Sequence, residues 1–286
     1  GAMIRKLIHM KKYFKLPVMF CGICLLQLIP LKDVNGQKLD LNPLFSDHIV
    51  LQQKTKAAIW GKSEPKTEIV VSGNWGKRAK TRADMDGNWR TKLETPKAGG
   101  PFNITVASKS DTVIINDVLI GEVWLCSGQS NMEMPLKGFL PNEPITGSKE
   151  AIQSADIPEI RMFTVSRNFS AQQQSEVVGS WAVCTPETAG EFSATAFFFG
   201  RKLQKTLQVP IGLIHSSWGG TPAEAWTDVE ALKQVTGFQE VEEKLDEMKN
   251  PHSDYNIWMN QLEKIDTEEI FQEYEELIHP EYAGEH

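Results

Sequence analysis

Basic charge is in short supply: 30 Lys and Arg stand against 37 Asp and Glu among 286 residues, for a formal net charge of −7. A surface of that sign does not neutralise phosphates, so nucleic acid drops out as a partner. Cysteine is scarce as well. Of four, Cys21 and Cys24 lie in an N-terminal apolar stretch, leaving only Cys126 and Cys184, free or paired. Two cysteines do not staple a disulfide scaffold. The sequence also lacks internal repeats and low-complexity tracts. With 41% hydrophobic and 23% charged residues it is neither disordered nor a multi-span membrane protein. The length suits two domains.

What charge there is lies unevenly. Arg5, Lys6, Lys11, Lys12 and Lys15 fall in the first fifteen residues with no acid among them, whereas residues 230–286 carry sixteen acidic side chains against four lysines. Gly1 and Ala2 ahead of Met3 read as an expression scar. The basic stretch followed by the apolar run 16–31 reads as a signal peptide, giving a leader over 1–37. That run is too short and too Pro-marked for a membrane span, so no stable membrane anchor is expected. Neither Cys21 nor Cys24 follows the small residue of a lipoprotein processing site. Export to a periplasm or the cell exterior follows.

Residues 38–117 alternate β-branched or aromatic runs with turn residues. Strands are predicted at 49–51, 57–60, 68–71, 88–93, 102–106 and 112–115, punctuated by Gly61, Ser72-Gly73, Asp86-Gly87 and Gly99-Gly100-Pro101. This cadence predicts an all-β sandwich domain of Ig or jelly-roll type, in a scaffold or carbohydrate-contacting role. From residue 118 the periods lengthen. The run 118–126 predicts a central strand covered on both faces, 160–165 and 210–215 two more strands, and 194–207 a helix. Strand, helix, strand over 118–286 predicts a parallel sheet with crossover helices. The acidic segment 229–286 is predicted helical, with Val241, Leu245 and Met248, then Trp258, Leu262 and Ile265, at apolar spacing. Its charges are spread along helix faces, a solvated surface rather than a metal site.

Chemistry concentrates in Trp124-Leu-Cys-Ser-Gly-Gln-Ser-Asn-Met-Glu-Met-Pro135. A strand end in a parallel sheet opens onto the ligand crevice, which suits Ser130 as a nucleophile. Gly128 permits a tight turn, and a helix starting after Ser130 would aim backbone N–H groups at a developing oxyanion. Locally, Ser130-Asn131 reads equally well as a plain helix N-cap. His215-Ser-Ser-Trp-Gly-Gly-Thr-Pro-Ala-Glu-Ala-Trp226 then places a second glycine pair just past a strand, where backbone N–H groups can meet an anion. Two such loops on neighbouring strand ends form one site. His215 either lines that site or is a satisfied structural histidine; His9, His48 and His252 lie in the leader, the β region and a polar linker.

Together these residues resemble the sialate O-acetylesterase family of the SGNH hydrolases. The resemblance begins at Leu44-Phe-Ser-Asp and Val50-Leu-Gln-Gln. It runs through Trp60-Gly, Asp86-Gly-Asn-Trp89, Ala98-Gly-Gly-Pro-Phe102 and Asp117-Val-Leu-Ile-Gly-Glu-Val-Trp124, and ends at Ser217 to Trp226. It implies a flavodoxin-like, three-layer α/β SGNH-hydrolase domain behind the sandwich, and a serine esterase that removes O-acetyl groups from sialic acids or related glycans without metal or cofactor. It places the nucleophile at Ser130, oxyanion donors at the Ser130 and Gly219 N–H groups with Gly220 close behind, and Gln129, Asn131, Trp218 and Thr221 on the loops around the substrate. Trp218 and Trp226 could stack on a sugar or pack in the core.

Two strings of that family are missing: a Gln-Gly-Glu-Ser-Asn loop completing the oxyanion hole, and an Asp-x-x-His-Pro segment supplying acid and base. The nearest imitation is Glu276-Leu-Ile-His279-Pro280, in which Glu276 would orient His279. It stands before the place of the missing loop rather than after it. The expectation is therefore an incomplete hydrolase domain, the N-terminal part of a longer esterase, whose open sheet edge favours self-association. An acetylxylan or other carbohydrate acetylesterase is the rival within the fold, and a noncatalytic carbohydrate-binding protein the rival outside the enzymes.

Overall fold

Alternation of buried and exposed side chains builds the first half of the fold, as strands with one wet face require. The computed structural model describes residues 38–139, 145–254 and 256–257. The leader, the predicted segment through Trp258, Leu262 and Ile265, and the Glu276/His279 pair lie outside them. Eight strands come first: β1 (Asp40–Leu41), β2 (Val50–Gln52), β3 (Lys56–Lys62), β4 (Glu68–Gly73), β5 (Lys77–Arg82), β6 (Asn88–Glu94), β7 (Gly99–Ala107) and β8 (Thr112–Gly128). In β6, Trp89 and Leu93 are buried while Asn88, Arg90, Lys92 and Glu94 are exposed. β1, β3 and β6 form a three-stranded sheet, while β5, β4, β7 and β8 run side by side in the larger one. One core fills the space between them, with Ile59, Trp89 and Leu93 from the first sheet against Ile69, Val71, Ile104, Val106 and Ile115 from the second.

β8 does not stop where the sandwich does. Its lower part pairs with β7 through Ile120, and its upper part, Glu122 to Gly128, pairs in parallel with β11 (Ile211–Ser217). β11 in turn lies parallel to β9 (Ile157–Thr164), and β10 (Trp181–Cys184) closes that side antiparallel to β9. The boundary expected between residues 117 and 118 thus falls inside a single strand, and the described residues fall in one compact unit. Asp117 explains how the chain continues: it takes a left-handed conformation, φ +52°, held by His48 and Arg161. The polar Asn116-Asp117 pair is a kink within the strand rather than a turn ending it.

Helices occupy the second half: α1 (Ser130–Glu133), α2 (Ser148–Gln153), α3 (Pro186–Ala189), α4 (Ala194–Leu207), α5 (Val229–Leu232) and α6 (Val241–Lys249). α4 is the predicted helix, capped by Ser193, whose Oγ accepts from the Ala196 N–H, and ended by left-handed Gln208. Side chains alternate across the parallel sheet. Ile160, Met162 and Leu213 pack under Phe197 of α4, whereas Phe163 and Trp181 join the sandwich core on the other face with Ile214 against it. Among the described residues, then, the expected layering of helices on both faces of the sheet is replaced: helices cover one face and the sandwich covers the other. β10, a four-residue antiparallel edge, is a further departure from the purely parallel expectation. In α6, Val241, Leu245 and Met248 are half-buried and the intervening acids exposed, the solvated face expected of this segment.

Candidate active site

Gly128 ends β8 with φ +142°, a conformation that favours glycine, and turns the chain into Gln129. Gln129, not Ser130, occupies the N-cap of α1, and no side-chain cap bond forms. The N-cap alternative for Ser130 is thereby settled: it is the first helical residue, and it is exposed. α1 is one turn long, so it offers the individual N–H groups at its start rather than a summed dipole.

The two glycine loops do lie on neighbouring strand ends. Ser217 of β11 is in register with Gly128 of β8, and the next residue, Trp218, donates its backbone N–H to the Gly128 carbonyl at 3.1 Å. Gln129 Nε2 reaches across to the Thr221 carbonyl. The Thr221 hydroxyl donates to the Trp218 carbonyl at 2.7 Å and accepts from Trp226 Nε1 at 2.8 Å, which folds the second loop back on itself. The Asn131 carbonyl accepts from Thr195 Oγ1 at 2.8 Å, tying α1 to α4. A Cβ built on Gly219 would come within 3.4 Å of Ser130 Cβ, so the structure brings the expected nucleophile and glycine together.

One expected donor is already engaged. The Gly219 N–H donates to Glu133 Oε2 at 2.5 Å. Among the described residues, the backbone N–H groups of Ser130 and Gly220 have no protein acceptor. Gly220 sits at φ +78° with open space where a Cβ would be. Glu133 also pairs with Arg167, whose guanidinium carbon lies 5.8 Å over the Trp218 ring. Neither Glu133 nor Arg167 was singled out by the sequence pattern; the signal available for Glu133 was its place one turn beyond Ser130, whereas Arg167 lies in a loop with none.

His215 is buried in β11, with Nε2 2.6 Å from Ser217 Oγ and its ring edge-on to Phe192. Burial lowers its pKa, the nearby Met132 backbone opposes this and Arg167 adds to it, so the imidazole is neutral at pH 7. Among the described residues no hydrogen bond links it to Ser130, and its Nδ1 is buried without a hydrogen-bond partner. Cys126 and Cys184 are both free and buried. Among the described residues no cluster of His, Cys, Asp and Glu could hold a metal, and no helix is long and apolar enough to cross a membrane.

No family model matches the chain. It is 35% identical over 206 residues to the human protein called sialate O-acetylesterase and 34% identical over 230 residues to the mouse one, covering 66% and 74% of this chain. A solved carbohydrate acetylesterase from Xanthomonas citri superposes with a TM-score of 0.64 at 38% identity, over 68% of this chain and 44% of that one. Fold and sequence thus place the chain with the carbohydrate acetylesterases. It belongs to the sialate O-acetylesterase family. The chain spans 38% of the length of the human relative and 42% of the mouse one.

Proposed function

We propose that this chain carries the nucleophile and part of the oxyanion site of a serine carbohydrate O-acetylesterase, with O-acetylated sialic acid as its substrate. The observation that carries the reading is Ser130 at the end of β8, beside Gly219, in a chain 38% identical to a solved carbohydrate acetylesterase. Ser130 Oγ attacks the acetyl carbonyl as a histidine takes its proton. The tetrahedral oxyanion is met by backbone N–H groups at Ser130 and the glycine pair, and water then releases acetate from the acyl-enzyme. The reading requires neither metal nor cofactor. Gln129, Asn131, Trp218 and Thr221 belong to the loops that would border the sugar. The base is His279 oriented by Glu276, or a histidine supplied by sequence beyond this chain. Export to a periplasm or the cell exterior is part of the same proposal, supported by the basic-then-apolar pattern of the leader.

The test is acetate release from O-acetylated sialic acid, and hydrolysis of p-nitrophenyl acetate, by the purified chain beside Ser130→Ala and His279→Ala. Loss of a serine nucleophile costs roughly three or more orders of magnitude in kcat where a base is present. Turnover abolished by both substitutions places the base at His279, and turnover abolished by Ser130→Ala alone places it elsewhere. Saturable sugar binding with no acetate release would mark a noncatalytic binder, and a preference for acetylxylan would change the substrate while keeping the chemistry.

A further inference from the structure

Glu133 holds its carboxylate in a nearly enclosed position, its side chain 12% exposed. A carboxylate withdrawn from water needs partners that compensate its lost hydration. It has two, and both belong to the wall opposite Ser130. Oε2 accepts from the Gly219 N–H at 2.5 Å, and Oε1 faces Arg167. Arg167 in turn covers the ring of Trp218, the residue before Gly219. The Trp218-Gly219-Gly220 loop is therefore gripped at its backbone by Glu133 and at its indole by the arginine that Glu133 binds. Charge-assisted bonds of this kind are stronger than neutral ones. Space at Gly219 is set by the same contact, since a Cβ there would run into Glu133 Oε2 and close on Ser130.

The grip decides which donors remain. With its N–H committed to Glu133, Gly219 is not free to meet an oxyanion, whereas the N–H groups of Ser130 and Gly220 have no protein acceptor among the described residues. We propose that Glu133 is a positioning residue of the esterase: by holding the Gly219 N–H, it sets the glycine loop so that the Gly220 and Ser130 N–H groups converge on the acetyl carbonyl. Glu133 is not proposed as the base, because Oε2 is committed to the Gly219 N–H and Oε1 faces the Arg167 charge without a hydrogen-bond donor among the described residues. This inference rests on the esterase reading above.

Two readouts on Glu133→Ala and Glu133→Gln test it. In 15N-labelled protein, the Gly219 amide proton is expected well downfield and slow to exchange. Glu133→Ala should move it upfield and speed its exchange at least ~10-fold, while Glu133→Gln, which keeps an oxygen acceptor, should retain most of the protection. On p-nitrophenyl acetate, Glu133→Ala should lower kcat roughly 10- to 100-fold, with KM changed less than about threefold and most of kcat restored in Glu133→Gln, as expected for oxyanion donors moved out of place. Dispersed amide spectra would establish that the variants are folded. An unchanged Gly219 amide in folded Glu133→Ala overturns the proposal, as does a displaced amide with an unchanged kcat. If the unsubstituted chain shows no turnover, either its base lies in sequence beyond the chain or the esterase reading fails, and the amide experiment alone decides whether Glu133 holds Gly219, an unchanged amide overturning the proposal.

Discussion

Arg161 closes a two-point contact on Asp117, Nη1 to Oδ2 at 2.6 Å and Nη2 to Oδ1 at 3.3 Å. The guanidinium comes from β9, where its side chain is 5% exposed, and the carboxylate from the kink in β8. Arg161 Nε is satisfied as well, by the Pro158 carbonyl at 2.8 Å. Removing one member of a buried pair leaves the other charge without its partner, at a cost of about 3 kcal/mol. Arg161→Met should lower the stability measured by urea unfolding by about that much. A change below about 1 kcal/mol would mean that the kink is held by backbone contacts alone.

The same contact gives the fold an acid limit. Burial pushes the Asp117 carboxyl upward, but hydrogen bonds and charge from Arg161 and His48 outweigh it, and the group titrates below its ordinary value. A carboxyl more acidic in the folded than in the unfolded chain contributes its full stability above the ordinary aspartate value, near ~4, and loses it as pH falls through the folded one. Stability should therefore drop below about pH 4, and Asp117→Asn should be less stable at pH 7 with a shallower slope in that acid range. Urea midpoints across a pH series check both; parallel curves for the two proteins would exclude the linkage.

Elements with strong local signals were legible in the sequence. The run 194–207 read as a helix and forms α4, and the ten-residue cadence of turn residues anticipated most of the strands before β8. The lengthening of the pattern after Asp117 marked a boundary there, and no local signal tells that two distant partners, His48 and Arg161, hold Asp117 as a kink within one strand. β10 escaped because four residues carry too little alternation. At the site, Ser130 and the glycine pair were legible as residues and as neighbours. The engagement of Gly219 was not, since Glu133 lies 86 positions away from it and no local pattern encodes such a contact.

Both thiols among the described residues should be inert. Burial raises the Cys126 pKa, and burial with Asp156, opposed by Arg201, raises Cys184 to about 12. The thiolate is the reactive form. In native protein at pH 8, a disulfide reagent such as DTNB should label Cys126 and Cys184 at least ~100-fold more slowly than in urea. Peptide mapping separates them from Cys21 and Cys24. Rapid native labelling of Cys184 would contradict its burial.

Gly121 stands where β8 passes the end of the segment leading into β11, and a Cβ there would be driven into the Pro210 carbonyl oxygen. The obstruction is backbone, so little can yield. Gly121→Ala should destabilise by ~3 kcal/mol or more, the upper range for overpacking, and should lower the thermal midpoint accordingly. A midpoint within a degree of the parent would show that the two strands can part without penalty.

Above Gly121, where its pairing with β2 ends, β8 has β11 on one side and no described strand on the other, and Leu125 there is 69% exposed with Trp124 42% exposed. An unpaired apolar edge recruits another strand. We expect concentration-dependent self-association in light scattering, reduced by Leu125→Lys. A parent that stays monomeric at high concentration would show that the edge is already covered.

β8 finishes one sheet and founds the next, so translation cannot complete the first without having begun the second. The strand that meets β7 at Ile120 is, eight residues on, the one that presents Gly128 and then Ser130. No seam is left there at which duplication or exchange of parts could separate scaffold from serine loop, and the two are inherited together.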